Sequence, residues 1–386
     1  MAEKAETTAV IDIGSSFIKC GLQGDDSPRE IIPTVVGTPA SLTAHIPGQD
    51  DSLESAVGNK VLESAGLLRI DNPVKRGQCE SKKDQENLRK ILNQIHEEAL
   101  AVSPDETNFM LTVPTLASWN HLKALTSYYM EESKAPSICY HNQGVLSMMG
   151  LYARTTGIFC DIGHGVTQVA PIFNGYGLPC AAQRSHLGGA DLDAYFRRLL
   201  FKEGRGFETS AELITVRKIK ENGISCSDVP FATGSKMPEP TKVKLPDGSS
   251  VELDMTLTAS QMMCSEVLFN PELVGRQMPG IHETIYSAIQ ACPMDIRREL
   301  FTDIHISGGT SMIDGLGSRL QSELTKLAPY SKNLKVIEKE TRQNAVFLGA
   351  AAMAEVGEYD DNFWITSKEF AEHGENIVYR KGRGLF

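Results

Sequence analysis

Two short segments share one pattern and predict the fold: VIDIGSS, residues 10–16, and FCDIGHG, residues 159–165. Each consists of two apolar residues, then Asp, Ile and Gly, one variable residue and a small residue. The aspartates of the two copies, Asp12 and Asp161, lie 149 residues apart in the sequence. Because this spacing is the length of a domain, the repeat predicts two structurally similar halves.

Each copy also has the composition of a phosphate-binding loop. A strand ends near the aspartate, and the glycine after it lets main-chain N–H groups approach and bind an anion. In the first copy Lys19 can return to the same phosphate, and Asp12 offers a carboxylate oxygen to Mg²⁺ or its waters. The residues with these roles are Gly14, Ser15 and Ser16 in the first copy, and Asp161, Gly163, Gly165 and Thr167 in the second. Either copy alone is more typical of an ordinary β-hairpin with a turn glycine, whereas two facing copies would hold a triphosphate from both sides.

A third segment, SGGTSM at residues 307–312, follows the apolar stretch IHI and contains two adjacent glycines. Glycines at a strand end let a flat group such as adenosine pack against the main chain. Gly-Gly turns are common, so this segment gains meaning only beside the other two. Together the three segments predict a nucleotide site.

Composition excludes several other classes of protein. The chain has 386 residues, a net charge of −11 and a pI near 5.4, which argues against binding to a nucleic-acid backbone. It contains no run of 18 apolar residues, and its first residues lack the apolar stretch of a signal peptide. The eight cysteines form no CxxC pair, which favours a reducing, cytoplasmic compartment.

Strand and helix patterns alternate along the chain, which predicts an α/β fold. Apolar runs predict strands at 7–14 and 108–114 and a hairpin over 157–173, and helical spacing predicts a helix over 81–102. The alternation around Pro-Asp-Gly predicts a further hairpin over 242–253.

The sequence of the chain resembles those of actin and the actin-related proteins, within the actin–Hsp70–sugar kinase superfamily. The resemblance is collinear from about residue 9 to the C-terminus. It is carried by segments such as RTTGIFCDIGHGVTQVAPIFNGYGLP (154–179), LFNPELVG (268–275), GIHETIYSAI (280–289), ISGGTSMIDGL (306–316) and WITSKEF (364–370). It implies two similar α/β halves, each with a smaller subdomain, and ATP or ADP with Mg²⁺ (or Ca²⁺) in the cleft between them.

The resemblance also implies a division into four subdomains. Subdomain 1 would comprise 1–33, 73–151 and 345–386; subdomain 2 would comprise 34–72, with a polymer-contact loop at 38–58. Subdomain 3 would comprise 152–187 and 277–344, and subdomain 4 would comprise 188–276.

Individual site residues follow by position from the family motifs. The phosphate loops would use Gly14, Ser15, Ser16, Phe17, Lys19, Gly163, Gly165 and Val166. The adenosine site would use Gly189, Arg217, Lys220, Glu221, Gly308, Gly309, Thr310, Met312 and Ile313. Catalysis would involve Gln143, Asp161, His164 and Gln168, with Gln143 orienting the attacking water, and Asp12 and Asp161 would hold the metal through waters.

The chain departs from the family's sequence motif in the second phosphate loop, at residues 161–168. Actin reads DSGDGVTH where this chain reads DIGHGVTQ, so His164 replaces an acid and Gln168 replaces a histidine. An imidazole with an ordinary pKa of about 6.5 is mostly neutral at pH 7, and an amide cannot act as a titrating base. We therefore expect ATP binding to persist and hydrolysis to be altered and slow. Gln343 replaces the lysine over the adenine, so we expect looser base selectivity, and Ile313 replaces the family's aromatic residue.

Two functions remain open at this stage. The first is a cytoplasmic, cytoskeletal protein that assembles into filaments with nucleotide-dependent turnover; the lack of large insertions favours it. The second is a non-polymerising actin-related subunit that acts as a scaffold in a larger complex; the altered segment 38–58 and His164 favour it. Self-association and actin-binding-type proteins at an acidic cleft over 353–363 are the expected contacts. A sugar kinase or Hsp70-type chaperone is disfavoured, because the chain lacks the corresponding sugar motifs and substrate domain.

Overall fold

The computed structural model describes residues 5, 7–39, 56–231, 242–244, 250–252, 255–356 and 363–382. The strands are β1 (Thr8–Ile13), β2 (Phe17–Leu22), β3 (Glu30–Pro33), β4 (Val36–Pro39), β5 (Ala56–Val57), β6 (Leu68–Asp71), β7 (Asn108–Val113), β8 (Ser137–Asn142), β9 (Gly157–Ile162), β10 (Thr167–Phe173), β11 (Tyr176–Gly177), β12 (Gln183–Ser185), β13 (Lys242–Lys244), β14 (Ser250–Glu252), β15 (Ile304–Ser307), β16 (Val336–Ile337) and β17 (Ile365–Thr366). The helices are α1 (Asn59–Glu63), α2 (Lys82–Gln94), α3 (Trp119–Ser127), α4 (Gln143–Gly150), α5 (Gly189–Lys202), α6 (Ser210–Gly223), α7 (Met255–Glu266), α8 (Ile281–Ala291), α9 (Met294–Thr302), α10 (Leu316–Leu327), α11 (Ala345–Val356), α12 (Ser367–His373) and α13 (Val378–Lys381).

Two mixed sheets organise the chain, and each has one of the repeated motifs at its centre. The first sheet has the order β17-β8-β7-β1-β2-β3, and the second has the order β11-β10-β9-β15-β16, with β12 also paired to β10. In the first, β1 is antiparallel to β2 and parallel to β7. In the second, β9 is antiparallel to β10 and parallel to β15. The predicted α/β class and both motif hairpins are therefore confirmed.

Both central strands are buried because helices cover the sheets. Every residue of β1 is buried, as expected for an apolar, β-branched strand with neighbours on both faces. One buried cluster packs the first sheet against α2 and α3, and a second packs the other sheet against helices that include α5, α8 and α10. A third cluster lies between the sheets and includes side chains of α4 and α11.

Helices α4 and α11 pack between the two sheets and touch each other through a contact that requires glycine. A Cβ added at Gly349 would lie 1.9 Å from the carbonyl oxygen of Leu146, and one at Gly150 would lie 2.1 Å from the Cα of Gly349. The two main chains therefore touch without intervening side chains. Gln143 is the first residue of α4, so this packing also fixes the position of its side chain.

The details differ from the sequence prediction in a few places. The predicted helix over 81–102 is α2 followed by a π-helical turn at Ile95–Ala99, because the backbone widens by one residue there. The predicted hairpin over 242–253 pairs Val243 with Val251, while its turn lies outside the described residues. Most of segment 38–58 and of the cleft at 353–363 also lies outside them. No described helix is long and apolar enough to cross a membrane.

Candidate functional site

A cavity of about 390 Å³ lies between the turns that follow β1 and β9 and receives residues from both halves. The predicted site residues that line it are Asp12, Gly14, Ser15, Ser16, Phe17, Lys19, Gln143, Asp161, Gly163, His164, Gly165, Val166, Gln168, Lys220, Glu221, Gly308, Gly309, Thr310, Met312 and Ile313. Gly189 and Arg217 lie just behind this wall, where they contact residues that line it. Most of the predicted set thus surrounds a single cavity.

The two motif turns have the same hydrogen bond at the same position. In the first, the N–H of Gly14 donates to the carbonyl of Phe17 over 3.1 Å; in the second, the N–H of Gly163 donates to the carbonyl of Val166 over 3.0 Å. A Cβ at Gly14 would lie 2.5 Å from the Phe17 oxygen, so the tight turn needs glycine. The sequence repeat is therefore also a repeat of backbone geometry.

The two turns touch each other across the cavity floor. A Cβ at Gly165 would lie 2.4 Å from the Oγ of Ser15, so the missing side chain allows this approach. Ser15 is held from below, because its Oγ accepts a hydrogen bond from the N–H of Gly77 over 2.8 Å and its carbonyl accepts one from Asn72 over 2.6 Å. The loop spacing is thus fixed by the Ser15 side chain, which lies against the main chain of Gly165.

A continuous chain of hydrogen bonds links the two motif aspartates. Gln143 donates from Nε2 to Oδ1 of Asp12 over 3.2 Å, and its Oε1 accepts from Nε2 of Gln168 over 2.7 Å. The same Nε2 of Gln168 donates to Oδ2 of Asp161 over 3.1 Å. The Oε1 of Gln168 accepts from the N–H of Thr115 over 2.7 Å, so its amide is fully engaged. Register places these groups together, since Asp161 lies opposite Gln168 in the β9–β10 pair.

The aspartates provide the donor set that a hard divalent cation prefers. Burial raises the pKa of Asp161, and the charge of Asp12 raises it further, while hydrogen bonds from Gln168 and Ser307 act in the opposite direction. A divalent cation held by these two aspartates would offset the repulsion between them. Lys19 lies 3.6 Å from Asp12 and also reaches the carbonyl of Gln343. The described residues include no group of three or more His, Cys, Asp or Glu side chains that could hold a metal ion.

His164 is neutral in this environment. Burial, followed by the charge of Arg217, lowers the pKa of His164 to about 3. Arg217 donates from Nη2 to Nε2 of His164 over 3.1 Å, so the imidazole proton is on Nδ1, which lies 3.9 Å from Oδ2 of Asp193. The histidine that replaces the family's acid therefore brings no charge of either sign to the cavity.

Helix α6 places three polar side chains at or near the cavity because they are spaced along one face of the helix. Thr209 and Glu212 form reciprocal capping bonds at its start. Arg217, Lys220 and Glu221 follow at positions i, i+3 and i+4, so they share one face. Nζ of Lys220 lies 2.5 Å from Oδ1 of Asp193 and donates to the carbonyl of Gly189 over 3.2 Å. Burial raises the pKa of Glu221, which is consistent with its place in the cavity wall.

Other residues of the site were not predicted from the sequence. Asp193 lies between Lys220 and Arg217; burial alone would raise its pKa, but these two cations lower it overall. Its signal was hidden, since an acid within a helix is usually solvated. Further lining residues are Ile13, Ile31, Gly77, Pro114, Ile224, Arg342, Gln343, Asn344 and Val346, of which Gln343 alone was considered.

A second polar bridge joins the halves below the turns. Arg76 makes a forked pair with Asp191, at 2.6 and 2.9 Å, and also donates to the carbonyl of Gly165 over 3.1 Å. Arg276 pairs with the same Asp191 over 2.6 Å. Sequence reasoning missed this bridge, because its members are about a hundred residues apart.

Two α/β halves that present matching glycine turns to one shared cavity define the class of the actin–Hsp70–sugar kinase fold. The family model of actin matches residues 3–383 of the chain. The chain therefore belongs to the actin family, and the actin-like fold predicted from its sequence is confirmed. Members of this family generally bind a nucleotide together with a divalent cation.

Proposed function

We propose that the cavity binds ATP or ADP with Mg²⁺ (or Ca²⁺) and that the chain is an actin-like cytoskeletal protein. The observation that supports this most is the pair of turns that have the same internal hydrogen bond and that line one cavity from both halves. Main-chain N–H groups in such turns bind phosphate oxygens. The cavity volume of about 390 Å³ falls within the range of roughly 300–1,000 Å³ typical of small-molecule sites.

Each side chain then has a defined task. Ser15, Ser16 and Lys19 hold phosphate oxygens, and Asp12 and Asp161 hold the waters of the cation. The cation would neutralise phosphate charge, which is its usual contribution in such sites. Gln143 orients the attacking water with Oε1, and the Gly308–Ile313 segment packs against the adenosine. The division into four subdomains given above belongs to the same proposal.

We propose that hydrolysis is slow because Gln168 occupies one of the two acceptor positions on Oε1 of Gln143, the atom that should orient the water. Nε2 of Gln168 donates to Oε1 of Gln143 and to Asp161, which uses both of its hydrogens. Oε1 of Gln143 therefore already accepts one hydrogen bond before a water arrives. A neutral imidazole at position 168 has a single N–H donor. It could donate either to Oε1 of Gln143 or to Asp161, but not to both.

Gln168→His should raise the rate of phosphate release about tenfold, less than the roughly 10²–10⁴ of a group that itself transfers a proton. Release is measured with Mg·ATP in excess, and ATP affinity is measured beside it. The gain should disappear in the double variant Gln143→Ala/Gln168→His. An unchanged rate in Gln168→His, or a wild-type rate equal to that of conventional actin, would show that Gln168 does not slow the reaction.

Filament assembly is the proposed use of the nucleotide, in the cytoplasm. With Mg²⁺, salt and ATP, we expect the purified protein to pellet on centrifugation, and with ADP or no nucleotide it should pellet less. Phosphate release followed in parallel reports whether turnover accompanies assembly. Protein that stays in the supernatant under every condition would exclude filaments of this chain alone and favour the non-polymerising scaffold subunit. Partners of the actin-binding type are proposed at the 353–363 cleft, of which Phe363 is 41% exposed.

A further inference from the structure

Arg217 contacts both phosphate loops although it lies behind the cavity wall. Its Nη1 donates to Oγ of Ser16 in the first loop over 3.2 Å, and its Nη2 donates to Nε2 of His164 in the second loop over 3.1 Å. Its Nε donates to Oδ2 of Asp193 over 3.2 Å. One planar guanidinium therefore joins the first half of the molecule to two elements of the second.

The cluster fixes the direction of each of these hydrogen bonds. Arginine has no acceptor, so Oγ of Ser16 accepts, and its own hydrogen can be donated into the cavity that Ser16 lines. Nε2 of His164 must likewise be unprotonated to accept from Arg217. Burial, and after it the charges of Arg217, Lys220 and Arg76, lower the pKa of His164 although Asp193 acts in the opposite direction, so the acceptor persists through the physiological pH range.

Arg217 is itself held in place by oppositely charged neighbours. Asp193, whose side chain is 18% exposed, pairs with Arg217 and also lies 2.5 Å from Lys220. Lys220 in turn donates to the carbonyl of Gly189 at the start of α5. Helices α5 and α6 thus hold the arginine from the second half, while its bond to Ser16 crosses to the first.

We propose that Arg217 is a positioning residue that clasps the first phosphate loop to the second half and thereby slows the escape of bound nucleotide. It acts through Ser16: the clasp holds this loop over the phosphates and aims the Ser16 hydroxyl at them. Opening the cleft requires the Arg217–Ser16 bond to break. His164 takes part because it accepts from the arginine without adding charge. The proposal rests on the proposed nucleotide site.

The test measures how fast a bound fluorescent ATP analogue leaves when excess unlabelled ATP is added, with Mg²⁺ present throughout. Arg217→Gln should increase the dissociation rate about tenfold, as expected for the loss of a charge-assisted hydrogen bond. Ser16→Ala should also increase it, and the double variant should be no faster than the faster single variant, since both remove the same bond. The matched control is Arg89→Gln, which removes an arginine of α2 that pairs with Glu132. This variant should leave the dissociation rate unchanged.

Two results would overturn the clasp while leaving the nucleotide site intact: a wild-type dissociation rate in Arg217→Gln, or effects of Arg217→Gln and Ser16→Ala that multiply. Multiplying effects would mean that Arg217 contacts the nucleotide independently of Ser16. If Arg217→Gln fails to fold, Arg217→Lys keeps the charge but loses the fork, and it should show a smaller increase. A folded wild-type protein that binds no ATP analogue would overturn the proposed function and, with it, this inference.

Discussion

Lowering the pH from 7 to 5 should reduce the free energy of unfolding, and three histidines of the first half should account for about 5 kcal/mol of this loss. Burial lowers the pKa of His96, of His121 and of His141 to about 4 in each case. In the unfolded chain these side chains have ordinary pKa values of about 6.5. A loss of this size is a large part of the roughly 5–15 kcal/mol typical of a folded domain.

The sign follows from which state binds protons. Between pH 6.5 and pH 4 the unfolded chain takes up protons on these imidazoles while the folded chain keeps them neutral, so acidification favours unfolding. Each histidine contributes about 2 kcal/mol at pH 5, because one pH unit corresponds to about 1.4 kcal/mol. Aromatic packing explains why His96 stays neutral, since its ring lies 4.9 Å from that of Phe109 and 5.6 Å from that of Tyr129.

Urea unfolding at pH 7 and pH 5 checks this prediction. His121→Leu should remove about 2 kcal/mol of the loss, because the Nδ1 atom of His121 is buried without a hydrogen-bond partner and the ring is 3% exposed. Equal free energies of unfolding at the two pH values would show that the buried imidazoles accept protons in the folded protein.

Gly165→Ala should weaken the binding of Mg·ATP about 100-fold. The new methyl group would lie 2.4 Å from Oγ and 2.9 Å from Cβ of Ser15, and 3.1 Å from Cα of Arg76. These contacts can be relieved only by moving the two phosphate loops apart, at a cost of roughly 1–3 kcal/mol for an overpacked site. A displacement of that kind removes phosphate contacts from both loops at once.

The matched control is Gly177→Ala, at a glycine of β11 where an added Cβ meets no atom within 4 Å. Both variants should retain their secondary structure by circular dichroism, and Gly177→Ala should bind Mg·ATP as the wild type does. Undiminished affinity in Gly165→Ala would mean that the contact between the loops does not shape the site.

The sequence predicted the parts of the site that are local. The turns at Gly14 and Gly163 are encoded within seven residues, so the repeat sufficed to place both and to suggest that they face each other. The residues behind the cavity wall were harder to predict from the sequence. Asp193 was not predicted and Arg217 was assigned to the adenosine site by resemblance alone; only the packing of α5 against α6 brings the two together.

Contacts between residues far apart in the sequence could not be predicted either. Gln168 was recognised as a departure from the family wording, but its bond to Gln143 depends on how β10 packs beside α4. The Arg76–Asp191–Arg276 bridge combines three distant segments, and nothing in the local sequence of any of them indicates the others. Contacts of this kind depend on how the two sheets and their helices pack, which the local sequence does not encode.

The central claim is that the two matching turns hold one nucleotide between them. Titration of the purified, folded protein with Mg·ATP by calorimetry tests it most directly. We predict saturable binding of one ATP per chain that weakens when the divalent cation is removed. A folded protein that shows no saturable binding of Mg·ATP or Mg·ADP would contradict this account.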